Sequence, residues 1–238
     1  MGLEKTNLGK WGPEGVEELL RVASAISDLS DRIDFVSRAF LDVPYGASTL
    51  IGSPDVPELL VVDLSAVDCF TYLDYVEAMR LSRSLEEFER NLRVVRYRGG
   101  EVAYGARNHF FTDWAASPRV EDVTGLVGKG RVTRVPKTLN RKGDGSCLLP
   151  GIRQVFRQIG FLPSSALDES AAAGMRTGDY VGIFTEDEGL DVTHVGIAIT
   201  DGGEILFRHA SSVEGKVVDE DFRLYVRAWP GIVLLRPR

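Results

Sequence analysis

Cysteine and histidine are scarce in this chain of 238 residues, which holds two of the first and three of the second. Two cysteines, Cys69 and Cys147, rule out a multi-bridge scaffold; a single bridge between them is arithmetically open and would disarm Cys69 as a nucleophile. None of Cys69, Cys147, His109, His194 and His209 stands at CxxC or HxxxH spacing, so no metal or other cofactor is expected. Positive charge is also short. Against 35 Asp and Glu the chain sets 28 Lys and Arg, a net charge of -7, which argues against nucleic acid as a partner. No run approaches the roughly 18 apolar residues of a membrane helix, so no integral membrane segment is expected. The opening MGLEKTNLGKWGPEG lacks the apolar stretch of a secretory leader, which leaves either a cytoplasmic protein or one whose leader has been removed.

What is present suits one folded domain over 1–238, with hydrophobic residues at 44% and charged residues at 26%. Pro13 to Asp28 carries Val16, Leu19, Leu20, Val22, Ala23 and Ile26 at helical spacing, and a second helix is expected from Asp31 to Leu41, so about 1–44 reads as a helical N-terminal segment. The run GSPDVPE breaks the pattern before an apolar segment, Leu59 to Leu64. Ser65-Ala66-Val67-Asp68 resembles a capping box with Ser65 as the cap, followed by an apolar face of Phe70, Leu73, Val76 and Met79. That reading puts Cys69 in the first turn of a helix.

Ser84 and Glu87 repeat the capping pattern ahead of a helix from Leu85 to Val95, a turn follows at Gly99-Gly100, and Gly105 to Ser117 also reads as helical. About 84–145 is therefore expected to be an inserted helical and irregular region on the substrate side, its last part, Asp122 to Gly145, without clear periodicity. A helix is expected near Pro150 to Ile159. Beyond it DYVGIF, THVGIAI, EILFRHA and GIVLLR are β-rich runs that should form an antiparallel sheet. Helices first and strands last is an α+β order.

A thiol at a helix start is favoured as thiolate by the helix dipole, more so beside an imidazolium. Cys69 meets the first condition, although a lone cysteine on an apolar helix also reads as a buried small hydrophobe. Cys147, beside Leu148-Leu149, reads as structural. His194 opens the apolar run Val195 to Ile199, and His209 closes the next one after the turn Asp201-Gly202-Gly203; a hairpin would bring the two rings side by side near its open end. Nucleophile, base and a third group that orients the base is the logic of covalent hydrolysis, though each histidine alone also fits a structural role. Arg107, His109, Asp113 and Trp114 are expected on a short helix. Arg107 and His109 are open between carboxylate binding and a surface salt bridge, and Asp113 and Trp114 lean structural. Arg131, Arg134, Lys137, Arg141 and Lys142 read as a solvated basic loop, and Glu186-Asp187-Glu188 as a hairpin tip.

Asp68-Cys69, Gly178-Asp179-Tyr180, His194-Val195-Gly196-Ile197 and His209-Ala210-Ser211 resemble the ordered landmarks of the NlpC-type, papain-like cysteine peptidases. PYGASTL, DCFTYLDYVEAM and RNHFFTDW are similar to the N-acetylmuramoyl-L-alanine amidase-like subgroup of that superfamily. The resemblance implies a papain-like core with the sheet packed on the nucleophile helix. It makes Cys69 the nucleophile, His194 the base, His209 the orienting group, and Tyr45 with the Cys69 N–H the oxyanion site. It also offers Asp68, Arg107, His109 and Ser211 as substrate contacts, and implies muropeptides as partners and the periplasm or cell envelope as location. Where many relatives have Arg before the catalytic dipeptide and Ser after it, this chain reads Val67-Asp68-Cys69-Phe70. That departure favours cleavage of the amide between N-acetylmuramic acid and L-alanine over γ-D-glutamyl-diaminopimelate endopeptidase activity. A wall-binding module without catalysis, and an intracellular thiol hydrolase or transferase acting on another amide, are the remaining alternatives.

Overall fold

The computed structural model describes residues 4–238. In chain order the elements are β1 (Glu4–Asn7), α1 (Gly12–Ala25), α2 (Leu29–Ala39), β2 (Leu60–Asp63), α3 (Cys69–Arg80), α4 (Leu85–Arg96), β3 (Val120–Asp122), α5 (Thr124–Gly128), β4 (Thr133–Leu139), β5 (Val155–Pro163), α6 (Glu169–Ala172), β6 (Tyr180–Phe184), β7 (Val192–Asp201), β8 (Glu204–Ser211), β9 (Lys216–Asp221), α7 (Phe222–Val226) and β10 (Gly231–Pro237). The α+β order holds, and the chain divides into two compact units: residues to Asn108 with Arg208–Asp219, and His109–Phe207 with Glu220–Arg238.

The first unit is built around α3. Residues 71–80 of this helix are all buried, as expected of a helix packed on every side rather than along one stripe. Aromatic rings from the neighbouring helices meet there: Phe40 edge-on to Tyr72 at 5.6 Å, and Tyr75 against Phe88 at 6.2 Å. Val16, Leu20 and Ala23 of α1 and Phe88, Leu92 and Val95 of α4 complete the core. A parallel pair, β1 beside β2, adds a small sheet that polar Glu4–Asn7 gave no sign of in the sequence.

The second unit is an antiparallel sheet in the order β4-β5-β10-β6-β7-β8, with β3 beside β10. One apolar cluster, including Val181, Ile183, Ala198, Phe207, Phe222, Ile232 and Leu234, fills its interior. β7 and β8 are joined through Gly202 and Gly203 at φ 56° and 95°, the positive pair that a tight two-residue hairpin turn demands.

Three local expectations are corrected. Pro150–Ile159 is not a helix: Val155–Pro163 is a strand, because it has a partner in β4, pairing from Leu139 opposite Val155 to Thr133 opposite Phe161. Gly105–Ser117 is not one helix but two short 3-10 turns, Tyr104–Ala106 and Phe111–Ala116, with Arg107, Asn108, His109 and Phe110 between them. The basic cluster is not a solvated loop throughout, since Lys137 lies on β4 and is buried, its ammonium donating to the carbonyls of Thr185, Asp187 and Leu190.

Candidate active site

Cys69 is the first residue of α3, and the cap before it differs from the expected one. Asp68, not Ser65, is the N-cap: its Oδ1 accepts from the backbone N–H of Phe70 at 3.0 Å and of Thr71 at 2.7 Å, while Thr71 Oγ1 accepts from the Asp68 N–H at 2.9 Å. Ser65 donates instead to Asp63 Oδ1 at 2.6 Å, which removes it from competition for the cap. Threonine thus stands where the motif usually has Glu or Gln. The first four N–H groups of a helix have no partner within it, so half-buried Cys69 occupies a place where negative charge on sulfur is favoured.

Tyr45 is held beside this turn by the backbone. Val67 donates to the Pro44 carbonyl and Gly46 donates to the Val67 carbonyl, each at 3.0 Å, a parallel bridge that sets residues 44–46 against the two residues before Cys69. Glycine is needed at 46, where a Cβ would come within 2.8 Å of the Ala66 Cβ. Burial raises the Tyr45 phenol above its ordinary pKa, and negative charge on Cys69 and then Asp68 pushes the same way. Tyr45 therefore stays protonated at neutral pH, as a hydrogen-bond donor must.

His209 also belongs to the first unit, on β8, and is buried. Desolvation pulls its pKa down to about 4, against the opposing pull of Asp219, so the ring is neutral at pH 7. Asp219 is itself gripped by Arg208, Nε to Oδ1 at 2.7 Å and Nη2 to Oδ2 at 2.8 Å, and Arg208 Nη1 reaches Asp34 Oδ1 at 2.8 Å and Ser37 Oγ at 3.0 Å. Sequence reading missed Arg208 and Asp219; the only hint was an arginine beside His209 in an otherwise apolar strand. Ser211 is buried, and its hydroxyl accepts from the Glu214 N–H at 3.1 Å, closing the turn between β8 and β9.

In the second unit His194 lies on β7 opposite Ile183, and the register slips at the next pair, Phe184 opposite Val192. Thr193 is the extra residue of a β-bulge, a device that re-aims side chains and is frequent next to active sites. The His194 ring is edge-on to Phe207 at 6.0 Å and tilted against Tyr225 at 6.1 Å. Asp113 pairs with Arg157 at 2.5 Å, and Trp114 is buried edge-on to Tyr180 at 5.4 Å, both structural as expected. His109 is half-buried in the same unit.

Arg107, in the first unit, is committed to a bidentate pair with buried Glu58 at 2.6 Å, which also accepts from the Tyr97 hydroxyl at 2.8 Å. Cys147 is a free thiol close to the Ile152 carbonyl, at 3.8 Å. Among the described residues no group of three or more His, Cys, Asp or Glu is gathered as a metal site would need, and no helix is long and apolar enough to cross a membrane. Together, Cys69, Tyr45 and Asp68 supply a thiol at a helix start, a phenol donor and a cap.

The fold matches that of a protein from Legionella pneumophila at a TM-score of 0.81, with 22% identity over 94% of each chain. An N-acetylmuramoyl-L-alanine amidase from Bacteroides uniformis superposes at a TM-score of 0.74, with 29% identity over 88% of this chain and 99% of that one. A Bacteroides fragilis protein provisionally named a xylanase does so at 0.69, also with 29% identity, over 84% of this chain and 98% of that one. No curated protein matches the sequence. The family described as AmiA-like, N-acetylmuramoyl-L-alanine amidase-like, matches residues 35–232, a span that contains Tyr45, Cys69, His194 and His209, and the chain belongs to that family.

Proposed function

We propose that the protein is a muropeptide hydrolase of the cell envelope, on an NlpC-type papain-like scaffold, that cleaves the amide between N-acetylmuramic acid and L-alanine. Cys69 attacks, His194 transfers protons and His209 orients His194. The observation that carries this reading is the placement of Cys69 at the start of α3 beside the protonated Tyr45 phenol, within a family of amidases.

The Cys69 thiolate adds to the lactyl carbonyl carbon, and the negative oxygen that develops is met by the Cys69 N–H and the Tyr45 hydroxyl. Each such donor contributes about 3 kcal/mol to the transition state. His194, protonated by the thiol it ionised, gives that proton to the departing nitrogen as the C–N bond breaks. L-Alanine leaves with a free amine, and a thioester remains on Cys69. Water then attacks this thioester, losing a proton to His194, and the C–S bond breaks to give the lactyl carboxylate. His209 suits an orienting role because burial keeps it neutral at working pH, with one N–H to donate and one lone pair to accept.

The test is incubation with defined muropeptides followed by product masses. Expected products are the intact sugar carrying a lactyl carboxylate and the complete peptide with a free L-alanine amine, formed by the wild type and not by Cys69→Ala. Shortened peptides still attached to sugar would establish endopeptidase activity instead, and no product at all would leave a binding module.

A further inference from the structure

A concave site lies wholly within the second unit, in segments that the amidase reading leaves without a role. It is a cavity of about 340 Å³ with Lys137, Arg141, Lys142, Glu186, Glu188 and Gly189 in its lining. Clefts of this size bury small ligands. Arg141, Lys142, Glu186 and Glu188 are exposed, and none of the four forms an ion pair among the described residues. Two exposed cations and two exposed anions therefore rim one small cavity with no ion pair between them, the Glu188 carboxylate lying against Gly143.

The walls are built rather than loose. Asn140, buried and in a left-handed conformation at φ 67°, donates to the carbonyls of Leu149 at 3.0 Å and Ile152 at 2.8 Å, and accepts from the Leu149 N–H at 2.6 Å. This fixes the loop that carries Arg141 and Lys142. The Lys137 ammonium fixes the opposite wall by donating to three carbonyls of the 185–190 turn, those of Thr185, Asp187 and Leu190. The Asn140 N–H donates to the Gly189 carbonyl at 2.8 Å and ties the two walls together. The fit is close at that joint, where a Cβ on Gly189 would meet the Arg141 carbonyl oxygen at 2.8 Å. Buried polar devices of this kind fix the backbone that carries the charged side chains, which lowers the ordering cost of recognising a small charged ligand.

We infer that this cavity binds a zwitterion: a carboxylate gripped by Arg141 and Lys142, and an ammonium held by Glu186 and Glu188. A peptide end that carries both groups on one residue has this chemistry. Identifying it with the free end of a muropeptide stem rests on the amidase reading, whereas binding of the zwitterion itself does not.

The experiment is calorimetric titration of the full chain carrying Cys69→Ala, with amide NMR shifts of Gly143 and Gly189 as the reporter of location. The probes are 2,6-diaminopimelate, which ends in free zwitterions, its N,N′-diacetyl form, which keeps only the carboxylates, and 1,5-diaminopentane, which keeps only the ammonium groups. The zwitterion should bind and shift both glycine signals, and each single-charge probe should bind at least about tenfold more weakly. Arg141→Ala with Lys142→Ala, and separately Glu188→Gln, should each weaken binding by a similar factor at unchanged Tm. Equal binding of a single-charge probe, no binding, or binding that neither variant alters overturns the assignment. Absent binding with muropeptide cleavage intact removes this site alone; binding with no cleavage removes the amidase reading alone.

Discussion

The first unit buries complete ion pairs, whereas in the second the Asp179–Arg236 and Asp113–Arg157 pairs each leave the arginine partly exposed. In the first, Asp74 of α3 and Arg96 at the end of α4 are 2% and 1% exposed and meet at 2.7 Å, and Arg96 Nη1 also reaches the Val61 carbonyl on β2 at 2.6 Å. Arg80 and Glu77 form a second buried pair along the same helix at 2.5 Å. In the second, the cluster around Ile183, Phe207 and Leu234 holds no charge, the buried Lys137 ammonium is met by backbone carbonyls, and Arg157 and Arg236 stay partly exposed beside Asp113 and Asp179. Apolar packing stabilises without fixing a register, while a buried ion pair is intolerant of misplacement. The helix that begins with Cys69 is thus fixed in position by charge, and the sheet that bears His194 is stabilised chiefly by burial.

The contrast can be broken at several points, in decreasing order of effect. Cys69→Ala should lower muropeptide turnover by at least about a thousandfold, read by product formation, with Tm nearly unchanged. His194→Ala should approach that loss, and His209→Ala should fall clearly short of it, since an orienting group takes no part in the proton transfer itself. Arg96→Ala strands the Asp74 carboxylate in the interior of the first unit and should cost about 3–5 kcal/mol in denaturant unfolding. Leu234→Ala, the matched probe of the second unit, should cost about 2–5 kcal/mol through a cavity alone. The comparison sharpens if the Arg96 variant also loses turnover among molecules that remain folded while the Leu234 variant does not.

Histidine protonation gives a pH signature. His209 has a folded pKa of about 4 against an ordinary value of 6.5, so between these values the unfolded chain binds the extra proton. Its contribution to stability is present above pH 6.5 and is lost as pH falls toward 4. Unfolding free energy measured across that window should rise with pH more steeply in the wild type than in His209→Gln. Smallest of all, Asp68→Ala should cost about 1 kcal/mol through the lost cap.

Much of the fold was legible because it is encoded locally. Helical spacing of Val16, Leu20 and Ala23 marked α1, and the Gly202-Gly203 turn between two β-rich runs marked the β7–β8 hairpin. Cys69 was placed at a helix start even though the wrong residue was given the cap, because the apolar face that followed was unambiguous while Ser65 and Asp68 are both good caps. What escaped depended on distant partners. Val155–Pro163 became a strand only through β4, the polar β1 through β2, and Lys137 was buried only because three carbonyls of a remote turn receive its ammonium. The Asp219 and Arg208 pair beside His209 and the bulge at Thr193 are likewise absent from any local pattern.

The most direct measurement of the central claim is the rate of iodoacetamide alkylation at Cys69 and Cys147, followed site by site by peptide mass from pH 5 to 9. Cys69 should react far faster than Cys147 at pH 7 and keep its rate well below the ordinary thiol pKa of about 8.5. Equal, slow labelling of both cysteines, rising together only as the pH nears that value, would contradict that claim.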